Sequence, residues 1–131
     1  MQNELSFVVL KKVDQTGIIC SGACAIHCLL FPILAFASPA ISNYLNNEWI
    51  HVTLVIALIP IAFFSFSRSI AIHGDKKPIV LGSAGILFLV SAIAVESLHI
   101  EIAGLEKSLT AIGSILLIAA HIFNIKGIKQ S

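Results

Sequence analysis

Three cysteines and a histidine stand within nine residues of one apolar segment: Cys20, Cys24, His27 and Cys28. At 100° per residue around a helix axis, with Cys20 as origin, Cys24 falls at about 40°, His27 at about −20° and Cys28 at about 80°. Three thiols and an imidazole therefore share one side of one helix, spread over roughly 12 Å of rise. Sulfur with imidazole is a ligand set for soft and borderline cations. An ionisable group inside an apolar span is expected to carry function, because lipid does not solvate it. The thiolate is the binding form, so the thiols stay neutral until an arriving cation displaces their protons. The alternative is that cysteines are small apolar packers, which accounts for one or two better than for three beside a histidine. Helical neighbours at i, i+4 have Cβ atoms about 5–6 Å apart, beyond the about 3.5–4.5 Å of a relaxed disulfide. An odd set of three in one helix thus reads as reduced.

Two further pairs repeat a spacing, Glu48 with His51 and Glu96 with His99. Each is Glu-x-x-His, which in a helix puts both side chains on one face. Both are expected at the outer membrane edge, near Glu101 and Glu106, where carboxylates and imidazoles could attract and dehydrate a cation. A merely wetted boundary is the alternative, since charge costs little there. His121 lies inside the last apolar span, with Asn124 one turn on and sharing its face. It is expected near the depth of Cys20 and Cys24, either to receive an ion from the thiols or to pack. His73 reads as a solvated turn residue.

The elements that position these groups follow from composition. The chain of 131 residues is 57% hydrophobic and 11% charged, with mean hydropathy +0.97. Soluble domains carry about 25% charged residues, so an all-α membrane protein is expected. The net charge of +1 and the lack of a basic patch with interleaved aromatics offer nothing to nucleic acid. No nucleotide-binding motif is present. A lead over residues 1–16, with a surface helix around Leu5–Leu10, precedes a first span of about Gly17–Ala37, the usual ~20 residues of a crossing. Pro32 inside it cannot donate to the carbonyl of Cys28. Ser38-Pro39 ends the helix, and Asn43 to Asn47 form a polar connection. Spans of about Trp49–Ile72, Ile79–Val95 and Ser108–Ile125 follow. The third offers Gly82, Ser83, Ala84 and Gly85 as a small-residue surface for close helix approach.

Four transmembrane helices with short loops put both termini on one side. Lys11, Lys12, Arg68, Lys76, Lys77, Lys126 and Lys129 fall in the lead, second connection and tail, and only Lys107 falls elsewhere. The positive-inside rule then makes the N and C termini cytoplasmic. Ala35-Phe36-Ala37 imitates a signal-peptidase site, but the apolar run is longer than the ~7–15 residues of a signal peptide, and cleavage is not expected.

The set Asp14, Gly17, Cys24-Ala25-Ile26-His27-Cys28 and Pro32 in the first span resembles the MerC-domain family. So do Glu48, His51 and Pro60 around the second, the charged turn with His73, and Gly113, His121 and Asn124 in the last. The resemblance covers about Asp14 to Asn124, most specifically in the Cys-x-x-His-Cys run. It implies a four-span membrane domain over residues 17–125, a cytoplasmic tail over 126–131, and a multi-pass protein of the bacterial inner membrane. It implies transport of mercuric ion toward the cytoplasm, where a thiol acceptor or metal-handling enzyme would take the ion. Mercury-resistance members pass the ion through a Cys-x-x-Cys pair in the first span and carry a second pair in the tail. Here His27 stands at that spacing from Cys24, Cys28 comes one place later, and the tail has no cysteine. Carry-over is limited to Cys24, with Cys28 as a shifted candidate.

The combined expectation is a bundle that conveys a thiophilic ion inward by ligand exchange. Its ligands would be Cys20, Cys24, His27 and Cys28, with Glu48, His51, Glu96 and His99 outside and His121 within. The ion is cargo, no prosthetic group is expected, and four helices leave room for a homodimer in the lipid bilayer. Imidazole plus thiolate also suits zinc or copper, so zinc, copper, iron or haem handling or sensing is one competitor. A membrane-edge dimetal oxidoreductase is the other, because paired Glu-x-x-His helices build such centres.

Overall fold

A computed structural model describes residues 2–41 and 48–130, with side chains at all of these but positions 2, 3, 28, 29, 31, 32, 34–36, 48, 51, 69, 73, 129 and 130. Four long helices carry the fold: α1 Gln2–Ala37, α2 Glu48–His73, α3 Lys77–Ser97 and α4 Leu105–Gln130. The chain is all-helical among the described residues. Among the described residues three helices are long and apolar enough to cross a membrane, over Val52–Ile72, Lys77–Ser97 and Leu105–Ile128. The break at Ser38 lies where Ser38-Pro39 predicts it. The Asn43–Asn47 connection lies outside the described residues.

α1 differs from the expected lead plus span. It is one helix from Gln2 to Ala37, and its buried positions are Leu10, Asp14, Gly17, Ser21 and Cys24. That 4-3-4-3 spacing is an a/d seam of the kind that joins long helices side by side. Lys12 is exposed while Asp14 is fully buried, because two residues turn a helix by about 200°. α4 answers with Thr110, Ser114, Leu117, His121, Asn124 and Ile128, all buried. It packs against all three other helices, most extensively α3 and α1.

The connections are closed by backbone chemistry. Gly74, at φ 66, ends α2 in a left-handed turn and its N–H donates to the carbonyl of Ile70 at 3.1 Å. That is the αL cap, for which glycine carries no Cβ penalty. The Asp75 carboxylate accepts from the Lys77 N–H at 3.0 Å, and Pro78 in the first turn of α3 occupies a place where its missing donor costs nothing. α3 ends in a Schellman motif, with Ile100 N–H on the Val95 carbonyl and His99 N–H on that of Glu96, both at 3.1 Å. His99 takes the left-handed position at φ 50, where an L-residue costs roughly 1–2 kcal/mol. His99→Gly is expected to stabilise the fold by about 0.5–1 kcal/mol after the unfolded-state entropy of glycine is subtracted. Thermal unfolding in detergent micelles reads this as a raised midpoint.

Small residues set the helix spacing. A Cβ added at Gly85 would lie 2.9 Å from the Gly113 carbonyl oxygen, and one at Gly113 2.8 Å from that of Gly85. Backbone therefore meets backbone between α3 and α4, as in membrane bundles where lipid removes the hydrophobic drive and close packing must supply adhesion. Gly82 and Gly85 serve the predicted close approach; Ser83 is exposed and Ala84 half-buried. Outside, Phe63, Leu87, Val80 and Ile115 are well exposed. Such an apolar surface suits lipid and would be an aggregation liability in water.

Candidate functional site

The most developed site joins α1, α2 and α4 at Asp14, with no accessible surface left on its side chain. Asp14 Oδ1 accepts from Ser65 Oγ and pairs with His121 Nδ1 at 2.7 Å. Asp14 Oδ2 accepts from Asn124 Nδ2 at 2.8 Å, and the same amide donates to Ser65 Oγ at 2.8 Å. A buried carboxylate is tolerable only when donors replace its lost water, and here three side chains do so. The contact puts Nδ1 of His121 against the carboxylate and leaves Nε2 on the far edge of the ring. That Nε2 is buried without a hydrogen-bond partner and faces Gly17, where an added Cβ would lie 2.3 Å from it.

The imidazole is held on its other side by Phe66, with ring centroids 4.9 Å apart and planes tilted by 37°. Phe66 in turn lies against Gly82, where an added Cβ would meet Cε2 at 2.1 Å. Gly17, His121, Phe66 and Gly82 thus form one stack across α1, α4, α2 and α3. The two glycines at its ends make room for the two rings between them.

From this cluster the α1–α4 seam leads to the thiols. Asp14 meets Asn124 and Gly17 meets His121, which fixes an antiparallel register. Continued along both helices, it brings Ser21 level with Leu117 and Cys24 level with Ser114. Cys24 is 0% exposed and belongs to the core with Val55, Leu58, Leu117 and Ala120. Ser21 Oγ and Ser114 Oγ are buried without a hydrogen-bond partner. Orphaned hydroxyls cost about 1–3 kcal/mol each, so Ser21 and Ser114, with Nε2 of His121, are the polar atoms along this seam that the helices themselves leave unsatisfied.

The predicted site residues separate accordingly. Cys20 and His27 are half-buried, on one flank of Cys24, and Cys20 packs against the core from its edge. Cys20 and Cys24 form no disulfide, as the helical spacing predicts. The side chains of Cys28, Glu48 and His51 lie outside the described residues. His121, level with Gly17, sits about one turn from Cys20 and two turns from Cys24 toward the N-terminus of α1, rather than at the depth of both thiols. Among the described residues no three of histidine, cysteine, aspartate and glutamate converge to hold a metal.

At the opposite end of the seam, Glu96, His99, Glu101, Glu106 and Lys107 line an open hollow of about 210 Å³ between α3 and α4. The expectation that Glu96 and His99 share one helix face is corrected: α3 stops at Ser97 and His99 follows in a left-handed turn. The reversal of the chain, not helical spacing, brings both to the hollow. Sequence reasoning did not select Asp14, Ser65 or Phe66 for the site. The signal for the last two was a 3-4-3 spacing over Val55, Leu58, Ala62 and Ser65, which marks the inner seam of α2.

No curated protein and no solved structure matches this chain. The model of the MerC mercury resistance protein family matches residues 14–126, from the buried aspartate to the end of the last span. With three helices fit to cross a bilayer, the chain is a multi-pass membrane protein, and it belongs to the MerC family of mercuric-ion transport and mercury resistance.

Proposed function

We propose that this bundle moves a thiophilic cation, of the mercuric type, toward the cytoplasm along the α1–α4 seam. α1 is the fourth crossing in this reading and both termini are cytoplasmic, as the lysine and arginine distribution requires. The supporting observation is Cys24, fully buried on a seam whose next inward polar atoms are the orphaned Oγ of Ser21 and Nε2 of His121. The same heptad spacing continues outward to Cys28, which makes Cys24 and Cys28 the proposed thiol pair with Cys20 and His27 flanking. The hollow of Glu96, His99, Glu101 and Glu106, with Glu48 and His51, gathers the cation at the outer edge. A conductor must bind firmly enough to admit and loosely enough to release. Exchange between a few soft ligands meets that need better than a closed metal cage. The driving force is the membrane potential together with capture by cytoplasmic thiols.

The test is uptake of mercury, zinc, copper and iron into proteoliposomes by the parent protein and by Cys24→Ser, Cys28→Ser and the double variant. The expected result is mercury uptake lowered at least about tenfold by each single change, since thiolate is the soft ligand, and abolished by both. Undiminished uptake of every ion by the double variant would refute the role given to the thiols.

A further inference from the structure

Near the first turns of α1 the chain builds a second concave surface, remote from the thiols. Leu5, Ser6, Val9 and Leu10 of α1 face Phe64 and Arg68 of α2 across a groove of about 150 Å³. Its walls are apolar and accessible, with Leu5 68%, Val9 44% and Phe64 47% exposed. Arg68 is exposed and stands at the groove's rim. A guanidinium keeps its charge at any physiological pH and presents a planar fork of donors suited to phosphate oxygens.

Depth decides what it meets. Arg68 lies one turn before the end of the membrane-crossing stretch Val52–Ile72, so its long side chain reaches headgroup level while its stem stays in the hydrocarbon. Lys11 and Lys12 on α1, Lys76 and Lys77 at the start of α3, and Lys126 and Lys129 late in α4 gather at the same end of the antiparallel bundle. An anionic membrane surface is the complement of such an end.

We infer that the α1–α2 groove is a binding site for an anionic phospholipid. Arg68 holds its phosphate, Phe64 one turn deeper on α2 meets the upper part of an acyl chain, and Leu5 and Val9 close the groove on the headgroup side. The lipid joins the first turns of α1 to α2 at the end of the bundle where the Asp14 cluster lies.

Native mass spectrometry of the full chain, released from bilayers of equal phosphatidylglycerol and phosphatidylethanolamine, tests this. The parent protein is expected to retain phosphatidylglycerol in at least about fivefold preference, the mass-action equivalent of one cation at an anionic surface. Arg68→Gln, at an exposed position, removes the preference, whereas Lys107→Gln at the far end of the bundle leaves it intact. Val9→Ser with Phe64→Ser lowers retention of both lipids. Equal retention of the two lipids by the parent protein overturns the site, as does an undiminished preference in Arg68→Gln. Displacement of the lipid by millimolar inorganic phosphate would make the ligand a free anion and overturn the lipid assignment.

Discussion

Asp14→Ala is expected to be the most destabilising single substitution in the chain, by about 3–5 kcal/mol, because several buried donors lose their acceptor at once. Neutral interhelical hydrogen bonds in membranes average only about 0.6 kcal/mol, because helices apart in lipid also find partners. Asp14 is a different case. Its two oxygens serve Ser65, His121 and Asn124 at once, and each donor it abandons is fully buried. Every buried donor left unpaired costs about 1–3 kcal/mol. Asn124 keeps its bond to Ser65 Oγ, which limits the loss there, while Nδ1 of His121 has nowhere to turn. Asp14→Asn retains one accepting oxygen and sets an amide N–H₂ against a donor, so about half the loss is expected. Denaturant titration of the purified protein in detergent orders the three: parent above Asn above Ala. Equal midpoints for the parent and Asp14→Ala would mean that water reaches the cluster and satisfies its donors.

The thiol helix was legible in the sequence because helical spacing survives without tertiary information. The arc from His27 to Cys28 brackets Cys24, and Cys24 is the thiol found fully buried. The shared face of His121 and Asn124 was legible for the same reason, and both reach Asp14. Asp14 itself was not. It follows Lys11 and Lys12, and three charged residues in four read as a water-exposed lead when hydropathy is averaged along the chain. Averaging erases direction: Lys12 and Asp14 stand on opposite sides of α1. Only the partners on α2 and α4 reveal which side is inside. Ser65 was hidden by the opposite circumstance, as one hydroxyl in an apolar run with phenylalanine on either side. The left-handed turn at His99 had no signal either, because glycine is the usual occupant of that position and a histidine there reads as a continuation of the helix.

Gly17→Ala and Gly82→Ala are expected to cost about 2–4 kcal/mol each, although alanine is the better helix former by about 1 kcal/mol. The sign follows from what surrounds the new methyl groups. At Gly17 a Cβ would lie 2.3 to 2.8 Å from three atoms of the His121 ring, and at Gly82 2.1 to 2.9 Å from three atoms of Phe66. Overpacking alone costs about 1–3 kcal/mol. A flexible side chain would swing away, but neither ring can: His121 is bonded to Asp14 at 2.7 Å, and Phe66 has the imidazole behind it. If the imidazole yields, its bond to the carboxylate goes too, which adds about 1.5–3 kcal/mol for a charged acceptor. Both substitutions press on one stack from opposite ends, so the double variant should depart from additivity by about 0.5–3 kcal/mol, as coupled neighbours do. Phe66→Leu frees space in the middle and should recover much of the loss in either alanine variant. A double-mutant cycle of unfolding midpoints measures this. Strict additivity, or no recovery by leucine, would mean that the two glycines act through separate contacts and that the four helices are not clamped by a common stack.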